Sequence, residues 1–150
     1  MTESVCAALR LDEEILDYET GSISCEFRSR SDGNLFALRG ADGVGLELRI
    51  VGSSLVYEAT VPDRWSKLEA EDARSLDDGR WHSAVVTVSS AGTRLYLDGY
   101  QVFCGTTTAF LKDLPGLTQA VVGQGDSPEV VAFTVHPRVL TAREVLALSR

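Results

Sequence analysis

The chain has 150 residues, 44% apolar and 24% charged, with a formal charge of −8. That length and apolar content suit a single domain spanning 1–150 with a substantial core, and they exclude a disordered chain. The acidity opposes binding to nucleic-acid phosphates or an anionic membrane surface, and no apolar run approaches the ~18–20 residues of a membrane span. Met1-Thr2-Glu3-Ser4 lacks a basic region followed by an apolar run. No secretory signal is visible, so a cytoplasmic location is expected unless the native start differs.

Val5 to Leu11 alternates small apolar and polar residues and predicts a first strand, broken by Asp12-Glu13-Glu14. Ser22 to Arg30 is the cleanest alternation: Ile23, Cys25 and Phe27 share one face, and Ser24, Glu26 and Arg28 the other. After a turn at Ser31-Asp32-Gly33-Asn34, Leu35 to Leu38 predicts a short strand covered on both faces. Val44 to Ile50 points Val44, Leu46, Leu48 and Ile50 inward and Gly45, Glu47 and Arg49 outward, then turns at Gly52-Ser53-Ser54 into Leu55 to Val61.

Pro62 through Ser75 is rich in charge, holds Trp65 and predicts a surface loop; loops of that length are often functional. Asp77-Asp78-Gly79 predicts a turn before the largely apolar strand Trp81 to Val88, whose pattern suits the middle of a sandwich. Asp98-Gly99, between Leu95-Tyr96-Leu97 and Tyr100-Gln101-Val102, predicts a hairpin, because a type I′ turn needs two positive φ angles. Thr118 to Gly123 and Glu129 to His136 predict two more strands. The last element is a helix with Thr141 as N-cap and Glu144 at N3, a capping box, flanked by Leu140 and Val145 at the hydrophobic-staple positions. About ten strands, frequent glycine turns and one short C-terminal helix predict an all-β, antiparallel β-sandwich of jelly-roll type.

Cys6, Cys25 and Cys104 lack paired metal-ligand spacing and read as buried free thiols on strands, with one disulfide plus a spare thiol as the minority alternative. No cofactor is expected. The acidic turns Asp42-Gly43 and Asp126-Ser127 offer oxygens for Ca²⁺, but too sparsely to assign a metal.

Several segments resemble one superfamily. Ser22-Ile23-Ser24-Cys25-Glu26-Phe27-Arg28 is similar to an early strand of laminin G-like, concanavalin A-like lectin domains. Asp78-Gly79-Arg80-Trp81-His82-Ser83 followed by Leu95-Tyr96-Leu97-Asp98-Gly99 resembles that superfamily's most recognisable segment. Phe110 to Leu117 with Val121-Val122-Gly123 looks like part of the lectin-like module beside the catalytic propeller of bacterial sialidases. Phe133 to His136 and Leu140 to Val145 resemble the closing strand and helix. The resemblance implies a non-catalytic carbohydrate-binding module, sialidase-associated, with a sialylated glycan as one candidate partner. Sialidase chemistry is not implied, because 150 residues cannot hold a propeller and no Asp-box repeat occurs.

Strand parity puts Glu26 with Arg28, Glu47 with Arg49, and Arg94 with Tyr96 on polar faces. If these strands share a sheet, Glu26, Arg28, Glu47, Arg49 and Tyr96 gather on its outer, concave face. Arginine forks suit a carboxylate, Tyr96 offers a ring to a sugar, and Trp65 adds an aromatic anchor. The plain alternative is a solvated face whose charges pair across strands. Two rival readings stand beside a binding module. One is a small enzyme, a cyclase or hydrolase, using Glu26, Glu47 or His82 for acid–base work. The other is a protein-interaction module meeting its partner through a sandwich edge or Trp65.

Overall fold

The computed structural model describes residues 7–10, 18–40, 43–51, 54–61, 64–71, 76–114, 119–123 and 128–149, with only the backbone course at 7–10, 64–71 and 119–120. Among them are strands β1 (Ala7–Arg10), β2 (Gly21–Arg28), β3 (Gly33–Arg39), β4 (Gly45–Val51), β5 (Ser54–Val61), β6 (Arg64–Glu71), β7 (His82–Ser89), β8 (Gly92–Leu97), β9 (Tyr100–Gly105), β10 (Gln119–Val122) and β11 (Glu129–His136). A 3-10 turn covers Leu111–Asp113, and a helix, α1, covers Ala142–Leu148. The strands form two antiparallel sheets, one of order β1-β10-β3-β4-β5-β6 and one of order β11-β2-β7-β8-β9. This is the expected all-β sandwich with a short C-terminal helix.

The period-2 pattern decides which faces meet. From the first sheet Leu38, Leu46, Leu48, Ile50, Leu55 and Tyr57 turn inward; from the second Ile23, Phe27, Val86, Val88 and Leu95 do so, all within one core. Burying such a side chain contributes roughly 1.5–3 kcal/mol each, so a one-residue slip that turned these faces outward would be prohibitive. β7 is the central strand of its sheet and is buried on both faces, as its composition predicted.

α1 provides the cover on β7's outer side. Val85 and Tyr96 form a second apolar cluster with Leu140 and Val145, so the staple residues are also the docking residues. Ser22 fixes the approach to the helix: its hydroxyl donates to the Arg138 carbonyl at 3.0 Å and accepts from the Leu140 N–H at 2.9 Å. The capping box forms, with the Thr141 hydroxyl accepting from the Glu144 N–H and the Glu144 carboxylate accepting from the Thr141 N–H. Asp98 and Gly99 take φ 51° and 91°, the two positive values of the predicted hairpin turn.

One expectation fails. Within Pro62–Ser75, residues 64–71 are not loop but strand β6, paired with β5 from Ser54↔Glu71 to Val61↔Arg64. Charged side chains are tolerated on an edge strand and help to protect it from further pairing, so charge alone was a poor guide to loop.

Candidate functional site

The polar side chains expected to converge are divided between the two sheets. β4 carries Glu47 and Arg49 in the six-stranded sheet, whereas β2 carries Glu26 and Arg28 in the five-stranded sheet. Their outer faces point away from each other, so no single surface collects all the predicted residues. Parity gave each strand's faces correctly, but it holds no information about sheet membership.

On the outer face of the six-stranded sheet the ladders align Ala37, Glu47 and Glu58 in one row, and Arg39, Gly45 and Thr60 in the next. Gly45 leaves a gap in the second row. A hollow of about 240 Å³ lies here, its lining including Arg39, Gly43, Gly45, Glu47, Glu58 and Thr60. A Cβ on Gly45 would collide with the Leu38 carbonyl, so the gap is built into the chain.

The charges within this face are ordered. Arg49 donates to Glu58 Oε1 at 2.7 Å, and its Nη1 lies 3.6 Å from Glu47 Oε1. Arg39 reaches Glu47 Oε2 at 3.5 Å while its side chain is 66% exposed. Arg49 therefore holds two carboxylates in place, and Arg39 presents a guanidinium to the solvent. Sequence reasoning placed neither Arg39 nor Glu58 in the site. Pairing Glu58 with Glu47 across the predicted Val44–Val61 hairpin would have found it. Trp65 stands at the β6 register position opposite Thr60; its side chain lies outside the described part of the structure.

The five-stranded sheet disposes of its candidates differently. Arg28 donates to Glu129 at 2.6 Å and lies 4.8 Å over the Trp81 ring. Trp81 is 45% exposed. Glu26 is exposed on the same strand. Tyr96, expected to offer a ring to a sugar, is only 2% exposed, covered with Val85 by Leu140 and Val145. The helix claimed that face, which strand parity could not reveal.

His82 is no free base. Its Nδ1 is 2.8 Å from Asp98 Oδ2 and its Nε2 is 3.0 Å from Asp78 Oδ1, with the ring packed on Phe27. Both nitrogens are spent on structure, which removes His82 from the enzymatic reading. Of the cysteines, Cys25 is a buried thiol as expected, and burial pushes its pKa up to about 12. Cys104 is free but exposed, because β9 is an edge strand. Cys6, and the Ca²⁺ candidates Asp42 and Asp126, lie outside the described residues. Among the described helices none is long and apolar enough to cross a membrane.

Comparison with known proteins accords with this architecture. The carbohydrate-binding module of the Ruminococcus gnavus IT-sialidase, 16% identical, superposes with a TM-score of 0.77 over 99% of this chain and 95% of that one. The same module bound to α2,3-sialyllactose gives 0.76 over 99% and 100%. The receptor-binding domain of botulinum neurotoxin mosaic serotype C/D, also 16% identical, gives 0.73 over 95% of this chain but only 38% of that one. No curated protein matches the chain by sequence. The family model of the concanavalin A-like lectin/glucanases superfamily matches residues 7–145, and the chain belongs to that superfamily.

Proposed function

We propose that the protein is a carbohydrate-binding module that takes an acidic, sialylated glycan in the hollow on the outer face of its six-stranded sheet. The observation that carries this reading is the exposed Arg39 guanidinium beside two carboxylates held by Arg49, with Arg39, Glu47 and Glu58 lining one hollow. Arg39 supplies donors for the ligand's carboxylate, which a guanidinium binds in a bidentate manner. Glu47 and Glu58 accept from hydroxyl groups. Trp65, opposite Thr60 in the β5–β6 register, is the aromatic candidate for a stacking surface. The sialidase module bound to α2,6-sialyllactose has the same fold, and this supports the choice of ligand.

The test is calorimetry with α2,3- and α2,6-sialyllactose against lactose, using the parent, Arg39→Ala, Arg49→Ala and Glu47→Gln proteins. Sialyllactose binding that exceeds lactose binding and falls at least about tenfold in Arg39→Ala, about 1.4 kcal/mol, supports the reading. No saturable binding, or binding undiminished in all three variants, overturns it.

A further inference from the structure

A second hollow lies on the opposite side of the molecule, where the end of α1 overhangs β2, β7 and β11. It measures about 140 Å³, room for roughly four or five waters at ~30 Å³ each, and its lining includes Ser24, Glu26, Ser83, Val85, His136 and Leu148. A β-bulge shapes it: Val131 pairs with Glu26 but Thr134 with Ser24, so two residues of β11 oppose one of β2. The bulge holds Ala132 at φ 56°, a left-handed conformation that alanine adopts only at a cost.

The polar groups in this hollow are unevenly committed. His136 Nε2 and Ser24 Oγ are 2.8 Å apart and satisfy each other. Burial and the nearby Arg138 hold the His136 imidazole below its usual value, opposed by Glu144, so the ring is uncharged at neutral pH. Glu26 and Ser83 face each other across the β2–β7 ladder, and neither side chain has a hydrogen-bond or ion-pair partner among the described residues. The hollow thus presents one solvated carboxylate without a partner among the described residues, the Ser83 hydroxyl beside it, the Ser24–His136 pair, and an apolar wall from Val85 and Leu148.

We propose that this hollow binds a vicinal amino alcohol, with the ammonium group on Glu26 and the neighbouring hydroxyl among Ser83, Ser24 and His136. An anion is repelled by Glu26, a neutral polyol gives the carboxylate no cationic partner, and a bare alkylamine leaves the Ser83 hydroxyl unused. The site is independent of the Arg39 hollow. A 2-amino sugar carries this chemistry with its hydroxyl free, whereas a phosphoethanolamine headgroup has that oxygen esterified to an anionic phosphate.

The experiment is an amide NMR titration of the whole chain at pH 7 with ethanolamine, and with ethylamine and ethylene glycol as controls. Ethanolamine is expected to give saturable shifts at Ser24, Ser83, Ala132 and Leu148, with affinity near the millimolar range set by so few atoms. Either control should bind at least about threefold more weakly, and Glu26→Gln should weaken ethanolamine at least about tenfold. Glu26 is exposed, so this replacement leaves the fold intact, as the variant's own spectrum will show. Glucosamine, with a free vicinal hydroxyl, should bind more tightly than glycerophosphoethanolamine, whose oxygen is esterified to an anionic phosphate; the reverse order overturns the proposal. Absence of saturable shifts, shifts confined to the Arg39 hollow, equal binding of either control, or an unchanged Glu26→Gln protein overturns the proposal. Arg39→Ala should abolish sialyllactose binding and leave the ethanolamine shifts in place, so each site fails or stands alone.

Discussion

His82 and Asp98 join the two ends of a long connection: Nδ1 of the one lies 2.8 Å from Oδ2 of the other, across β7 and β8. Asp98 also accepts from the Ser83 N–H at 2.9 Å, and the Asp98 N–H donates back to the Ser83 carbonyl. On its other side His82 meets Asp78 of the preceding turn. The turn, the central strand and the β8–β9 hairpin are therefore locked together at one end of the sandwich.

Asp98→Ala removes both acceptors and puts alanine at a positive φ. The expected loss is about 2–3 kcal/mol in a urea unfolding curve. Asp98→Asn should lose less, since asparagine tolerates that backbone. An Asp98→Ala protein as stable as the parent would refute the clamp.

Tyr57 is buried in the core, and its hydroxyl lacks a hydrogen-bond partner among the described residues. Burial alone pushes its pKa well above the usual phenol value. Tyr57→Phe removes an unsatisfied polar atom with little change of shape, so it should stabilise the protein by about 1 kcal/mol. A shift of the urea midpoint to lower concentration would contradict this.

Glu144 is bonded by Arg138 and by the Thr141 N–H, and these partners hold its pKa down to about 2. Its folded value lies below the unfolded one, so the stabilisation is present above the ordinary carboxylate range. It is lost as pH falls through the range from about 4.5 to about 2. The α1 circular-dichroism and amide signals should weaken over that interval, and high salt, which screens the ion pair, should flatten the change. Glu144→Gln should flatten the profile; an unchanged profile would show that this ion pair does not hold the helix.

The two described thiols should separate cleanly. Cys25 is buried with its pKa raised to about 12, whereas Cys104 is exposed on an edge strand. Iodoacetamide followed by peptide mapping should label Cys104 in the folded protein and Cys25 only in denaturant. Labelling of Cys25 at the same rate as Cys104 would mean that the core opens readily.

The fold was legible because local rules and burial agreed. Alternation at Ile23–Cys25–Phe27 and Leu46–Leu48–Ile50 fixed inward faces, Asp98-Gly99 fixed a hairpin, and Thr141 with Glu144 fixed a helix start. β6 was missed because an edge strand need not be apolar. The site was half legible: Glu47 and Arg49 do stand together on an outer face. Their separation from Glu26 and Arg28 depends on strand order, and the burial of Tyr96 depends on where a distant helix lands. Both are long-range outcomes with no signature in neighbouring residues.

α1 has only seven residues, too short to persist without its seat on Val85 and Tyr96. Leu148, near its end, is also part of the wall of the rear hollow. Acid that neutralises Glu144 thus loosens more than a cap: when the helix lifts, the rear chamber loses its lip. Occupancy there and helicity at the chain's tail become one equilibrium, readable from either end.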